Sequence, residues 1–154
     1  MSGWRERLLT LGLSLPPSPA PRGAYRSVTV MNGLAYVSGQ VSRTADGIIT
    51  GPVDSRTPAR TIRNAAEACV MRALAALEGE VGLDAIGQIV FVRGFVFARA
   101  GFADHSRILD AASELIVAIL GSAGEHARSA VGVSGLPGDG LLELEVVAAV
   151  GTLN

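Results

Sequence analysis

The chain has 154 residues, 49 % of them hydrophobic but only 5 % aromatic, which suits one domain around a core built from Ala, Val, Leu and Ile. A net charge of −1 argues against a nucleic-acid coat or a membrane-surface binder, since either needs a strong positive field. All 13 basic residues are arginine, which excludes Schiff-base lysine chemistry and the P-loop lysine and leaves a side chain whose planar fork can grip a carboxylate with two hydrogen bonds.

Residues 1–22 read as a short amphipathic helix followed by a Pro-rich arm, and 23–154 as the domain proper. Leu8, Leu9, Leu11, Leu13 and Leu15 follow Arg5 and Arg7 and faintly imitate a secretory signal. The run is minimal, Glu6 precedes it and Pro16, Pro17 and Pro19 end it, so a cytoplasmic protein is expected. Nothing reaches transmembrane length. Across 25–38, Val28 and Val30 precede Asn32-Gly33, and Leu34, Tyr36 and Val37 follow it. Asn-Gly between β-rich runs predicts a type I′ hairpin. Residues 42–58 are mostly loop. A helix is expected from Pro58 to about Glu78, capped by Thr57 and stopped by Gly79 and Gly82; Ile62, Ala66, Cys69, Ala73 and Ala76 form its apolar stripe. Residues 89–97 are a strand. A second helix covers roughly 103–120, with Leu109, Ala112, Ile116 and Ile119 as its stripe and Gly121 as C-cap. Residues 128–133 and 141–150 are two more strands. The order β-β-α-β-α-β-β predicts an α+β two-layer sandwich, with two helices on one face of one sheet.

In the last strand, Leu142, Leu144, Val146, Ala148 and Val150 share the face that meets the helices. The other face carries Leu141, Glu143, Glu145, Val147 and Ala149, and a half-apolar, half-charged face of this kind predicts contact with another subunit. In the strand before it, Arg128, Ala130 and Gly132 share one face, small residues around a single cation. If these two strands pair as a hairpin, Arg128 comes opposite Glu143 and its neighbours. Spacing alone leaves two readings open, a ligand anchor and a plain Arg–Glu cross-strand pair. His126 is an acid–base candidate or a surface residue. Asp104, His105 and Ser106 point in different directions at a helix start and make no triad. Ser38-Gly39-Gln40 at a strand end could offer backbone N–H groups to an anion, or could be a plain turn. Cys69, the single cysteine, falls in the helix stripe and reads as core; with two histidines in all, no metal site is expected.

The sequence resembles the YjgF/RidA family, also called endoribonuclease L-PSP. The matching blocks are Gly23-Ala24-Tyr25, the nine residues from Asn32 to Gln40, the seven from Ala127 to Val133, Leu136-Pro137 and Glu143-Leu144-Glu145. The leading helix and Glu125-His126-Ala127 resemble the longer-chain subgroup. The resemblance implies a chorismate-mutase-like fold with one mixed sheet, a homotrimer with clefts between subunits, and no metal or organic cofactor. It implies hydrolysis of enamines and imines such as 2-aminoacrylate to 2-keto acids and ammonia. By position, Arg128 would hold the substrate carboxylate and Glu143 would position or activate water. Tyr25 and Ser38 would line the cleft, and backbone groups of Gly39 and Ala130 would contact ligand. Two departures stand out. Ala130 replaces the family's usual cysteine, and Asp110 replaces its common asparagine, adding a carboxylate that weakens binding of an anion if it faces the cleft. The alternative is a non-catalytic trimer that binds a small carboxylate metabolite and regulates; ribonuclease activity is disfavoured by near-neutral charge and few stacking side chains.

Overall fold

The computed structural model of the chain describes residues 3–151. Helix α1 (Gly3–Thr10) leads into an extended arm. Strands β1 (Val28–Met31) and β2 (Leu34–Val41) are joined by Asn32-Gly33 at φ 50° and 74°, the two positive values that a type I′ turn requires. The following loop contains a short hairpin, β3 (Arg43–Thr44) and β4 (Gly47–Ile48). Helix α2 (Ala59–Glu80) starts where expected, but Thr57 does not cap it; its hydroxyl accepts the backbone N–H of Asp54 at 3.0 Å. The helix runs through Gly79 and the chain leaves it at Val81 and Gly82. Strand β5 (Ile86–Phe97), helix α3 (His105–Leu120, ending at Gly121 with φ 65°), strand β6 (Ala127–Val133) and strand β7 (Leu142–Val150) complete the chain.

The five long strands form one mixed sheet in the order β1-β2-β7-β5-β6. Strands β6 and β7 do not pair, which corrects the expected hairpin. Helix α3 links β5 to β6 as a βαβ unit, and such a crossover makes its two strands parallel. The chain then passes the end of β5, where the Phe97 N–H donates to Leu141 O at 3.0 Å, and β7 inserts antiparallel between β5 and β2.

The register settles which way each side chain faces. Val92 stands opposite Arg128 on one side and Val146 on the other; Phe95 stands opposite Val131 and Glu143. Val92 and Val146 are buried beneath the helices, so Arg128 is on the helix-covered face and Glu143 on the open one.

The covered face buries Ile89, Val92, Val96, Leu142, Leu144, Val146 and Ala148. Against it pack Cys69, Val70, Ala73, Leu74 and Leu77 of α2, and Leu109, Ala112, Ile116 and Ile119 of α3. Alanines on the stripes let the helices sit close, and each large aliphatic side chain removed from water contributes about 1.5–3 kcal/mol. Trp4 and Leu8 of α1 join the same core. Trp4 Nε1 donates to Asp84 at 2.9 Å, and Arg7 Nε donates to Ile119 O at 2.7 Å, satisfying a carbonyl at the end of α3. The open face carries Tyr36, Val131, Phe91 and Val147 around an Arg93–Glu145 ion pair of 2.8 Å, the mixed surface expected from the β7 sequence. Leu141, expected on that face, is instead fully buried just before the strand begins.

Candidate functional site

The residues singled out in the sequence fall into two groups, one on each face of the sheet. Arg128, Ala130 and Asp110 form the first. Arg128 projects from edge strand β6 toward α3, where the helix offers a ladder of acceptors. Its Nη1 donates to Asp110 Oδ1 at 3.0 Å and to Ser113 Oγ at 3.1 Å; its Nη2 donates to Ser106 Oγ at 2.8 Å and Ser106 O at 3.2 Å. Ser106, Asp110 and Ser113 lie on one helix face because they are four and three residues apart. The Arg128 side chain is 21 % exposed and that of Asp110 54 %, so the pair opens outward. Behind it, Ser113 Oγ lies 2.9 Å from His126 Nε2, and His126 Nδ1 lies 2.6 Å from Gly124 O. A carbonyl only accepts, so Nδ1 carries the hydrogen, and in the neutral ring Nε2 is the nitrogen that accepts from Ser113. Ser113 in turn accepts from Arg128, and the chain of bonds fixes the guanidinium. His126 therefore braces Arg128 from behind.

Tyr25, Ser38, Gly39 and Glu143 form the second group, around a cavity of about 490 Å³ on the open side. The arm closes one wall through Tyr25 and Arg22, and β2 and β7 form the floor. The register between β2 and β7 slips after Val37, so Ser38 and Gly39 bulge from the ladder. The Ser38 hydroxyl donates to Arg26 O at 2.6 Å, tying the bulge to the arm. Gly39 leaves room for the Glu143 carboxylate folded over it, since a Cβ there would overlap that side chain and push it aside. Burial pushes the Glu143 carboxyl above its ordinary value, and the negative charge of Glu145 adds to the rise.

Sequence reasoning missed Arg72, Arg43 and Arg22, which also line this cavity. They come from α2, β3 and the arm, and no local pattern groups them. Gln40, expected to matter through its backbone in the Ser38-Gly39-Gln40 segment, is buried and acts through its side chain: its Nε2 donates to Ser38 O at 3.0 Å and its Oε1 accepts from Arg72 Nε at 3.2 Å. A larger groove of about 730 Å³ lies between the arm, the β3–β4 hairpin and α2; it holds none of the expected residues but shares Arg43 and Arg72 with the Glu143 cavity. Among the described residues, no three His, Cys, Asp or Glu side chains are placed to hold a metal, and no helix is long and apolar enough to cross a membrane.

The sequence profile of the endoribonuclease L-PSP family matches residues 16–150. The chain belongs to the endoribonuclease L-PSP family. It is 31 % identical to protein TCP17 of Trypanosoma cruzi over 143 residues, covering 91 % of this chain and 89 % of that protein. The crystal structure of Atu1372 from Agrobacterium tumefaciens, described as of unknown function, superposes with a TM-score of 0.88 at 30 % identity, over 97 % of this chain and 94 % of that one. A putative endoribonuclease from Shewanella oneidensis gives a TM-score of 0.89 at 25 % identity, over 97 % and 100 % of the two chains. The YjgF gene product of E. coli superposes at 0.61 and 23 % identity, over 86 % of this chain and 92 % of that one, and shares the fold. The profile match begins in the Pro-rich arm and omits α1, the helix that this L-PSP chain uses to brace α3.

Proposed function

We propose that this protein hydrolyses reactive enamine and imine intermediates of the 2-aminoacrylate type to 2-keto acids and ammonia, in clefts shared between the subunits of a homotrimer. One observation carries the reading. Arg128 and Glu143, a carboxyl with a raised pKa, lie on opposite faces of the same sheet, so a single chain does not bring them to one ligand. Two copies can, with the open face of one against the β6 edge of the next. The half-apolar open face is the surface that such an assembly would bury.

Arg128 takes the substrate carboxylate with its fork, Asp110 giving way to it. An enamine first tautomerises to the imine, its C=C becoming C–C as a proton moves from nitrogen to the terminal carbon; Glu143 of the adjoining subunit then holds a water at the imine carbon and takes one of its protons as the C–O bond forms. The C=N bond becomes C–N, and the nitrogen is protonated. Collapse of the resulting carbinolamine forms C=O, breaks C–N and releases ammonia. A carboxyl with a raised pKa suits both taking and returning that proton. Tyr25 and Ser38 shape the cleft, and backbone groups of Gly39 and Ala130 contact the ligand. Water and side chains suffice for this chemistry, with no metal or organic cofactor, and the proposed setting is the cytoplasm.

A second reading has one observation in its favour. Asp110 already occupies Arg128 and competes with any carboxylate, which suits a trimer that binds a small carboxylate metabolite weakly and regulates. Turnover on a panel of amino-acid-derived imines, with Arg128→Ala as control, decides between them. The enzyme reading expects ammonia release that the variant loses, and sedimentation at about three times the 15.8 kDa chain mass. No turnover on any imine leaves the binder; a stable monomer sinks both.

A further inference from the structure

The cavity beside Glu143 holds more positive charge than a monocarboxylate needs. Arg22, Arg43 and Arg72 all line it, and none of the three pairs with a carboxylate among the described residues. The acidic groups of this cavity are Glu143 and Glu145, with Glu145 already engaged by Arg93 at 2.8 Å; on their other side Arg43 and Arg72 border the groove that also holds Asp46 and Glu67, and neither of those carboxylates forms an ion pair with them. Arginines on a solvated face would spread into water. Arg72 is half-buried instead, and burial followed by the charges of Arg43 and Arg22 lowers its pKa.

Arg72 is also aimed. The buried Gln40 is fixed by its bond to Ser38 O and holds Arg72 through Nε alone. The two terminal nitrogens, four N–H donors, make no hydrogen bond among the described residues. A guanidinium oriented through one nitrogen, with its fork free and like charges beside it, is arranged for an anion absent from the free protein.

We propose that Arg72, assisted by Arg43 and Arg22, forms an anion subsite, so that the ligand carries a second acidic group, a carboxylate or a phosphate, at the end remote from its reacting carbon. This rests on the shared-cleft reading only for the first acidic group, which the partner subunit's Arg128 takes. Glu143 then stands beside the reacting carbon, between two cationic ends. The subsite makes this protein selective for dianionic imines and keto acids over alanine- or threonine-derived ones.

Calorimetry on the full chain tests it with three keto acids: 2-oxobutyrate with one acidic group, 2-oxoglutarate with two carboxylates, and 3-phosphohydroxypyruvate with a carboxylate and a phosphate. At least one dianion should bind about ten- to a hundredfold tighter than 2-oxobutyrate, the range for a charge-assisted hydrogen bond. Which one wins identifies the second group. In Arg43→Gln/Arg72→Gln that ratio should fall to near one. Arg22→Gln/Arg43→Gln, which leaves the half-buried Arg72 and its bond to Gln40 in place, should reduce it in the same direction even if the first variant folds poorly. A wild-type protein that prefers 2-oxobutyrate or makes no distinction overturns the subsite, as does a preference that survives both double variants. Arg128→Ala separates the two ideas. If it weakens all three ligands while no dianion preference exists, the subsite falls and the shared cleft stands. If the preference holds but Arg128→Ala changes nothing, the shared cleft falls and the subsite stands. If no keto acid binds, both fall.

Discussion

The Arg128 cluster and the Glu143 cavity occupy the two faces of one sheet, and they differ in how far the chain satisfies them. The Arg128 fork is saturated: a carboxylate, two hydroxyls and a carbonyl of its own subunit accept from its two terminal nitrogens. The cavity side is unfinished, with a carboxyl whose pKa is raised and three arginines that form no ion pair among the described residues. A saturated cation is held rigid, and a ligand must compete with Asp110 to reach it. An unsaturated cavity is electrostatically costly until something enters. Rigidity and strong local field are thus built separately, and in the proposed trimer they meet at one ligand.

The sharpest way to break this contrast is at the unfinished side. Glu143→Gln keeps shape and should lower imine turnover by about 10²–10⁴-fold while leaving trimers and keto-acid binding in place, read by steady-state ammonia release beside calorimetry. Gly39→Ala should lose turnover comparably without removing any charge, because the added methyl displaces the Glu143 carboxylate. It should melt as wild type does, since the displaced group is the end of a flexible side chain. If Gly39→Ala turns over normally, the folded-over position of Glu143 is not the working one.

At the saturated side, Arg128→Lys should weaken keto-acid binding by about 2–5 kcal/mol, since a point charge cannot replace the fork against a desolvated carboxylate. Full affinity in the lysine variant would mean that the four bonds to α3 serve structure alone. A smaller effect of opposite sign is expected for Asp110→Asn. Removing the competing carboxylate should tighten anion binding by about 0.2–1 kcal/mol, the usual worth of an exposed ion pair. Weaker binding would make Asp110 part of the ligand's hold.

Glu145→Gln should have the smallest effect, visible only in the pH profile. The base works when ionised, so the rate falls as pH drops through the Glu143 pKa, which lies above the ordinary carboxylate value. Removing the Glu145 charge makes Glu143 easier to ionise and moves that acid limb to lower pH. Burial, the larger cause, stays, so the limb should remain above the ordinary carboxylate range. A limb that moves upward would mean that Glu143 is not the titrating base.

Much of the fold was legible because it is written locally. Asn32-Gly33 specifies a turn through the φ values that only such residues adopt easily, and the stripes of α2 and α3 mark their buried faces through a 3.6-residue period. The pairing of β6 was not, because the eight-residue link to β7 suits a hairpin as well as a crossing. The 16-residue helix between β5 and β6 was the usable signal, since a helix between two strands favours parallel neighbours. That error had a chemical consequence, for it placed Arg128 beside Glu143 when a sheet's thickness separates them. Asp110 was recognisable as a carboxylate near the anchor, but its bond to Arg128 depends on how α3 is rotated. The Arg22, Arg43 and Arg72 cluster had no local signature at all, because three elements far apart in sequence contribute one residue each.

Cys69 gives the molecule a built-in clock. It is the only thiol, fully buried in α2 beneath β7, with Sγ 3.4 Å from Leu142 O, and burial pushes its pKa well up. An alkylating reagent therefore reaches it only when α2 lifts from the strand that carries Glu143. The labelling rate of the unmodified protein counts those openings directly, and its slowing with added keto acid would report how firmly an occupied cavity clamps the helix above it.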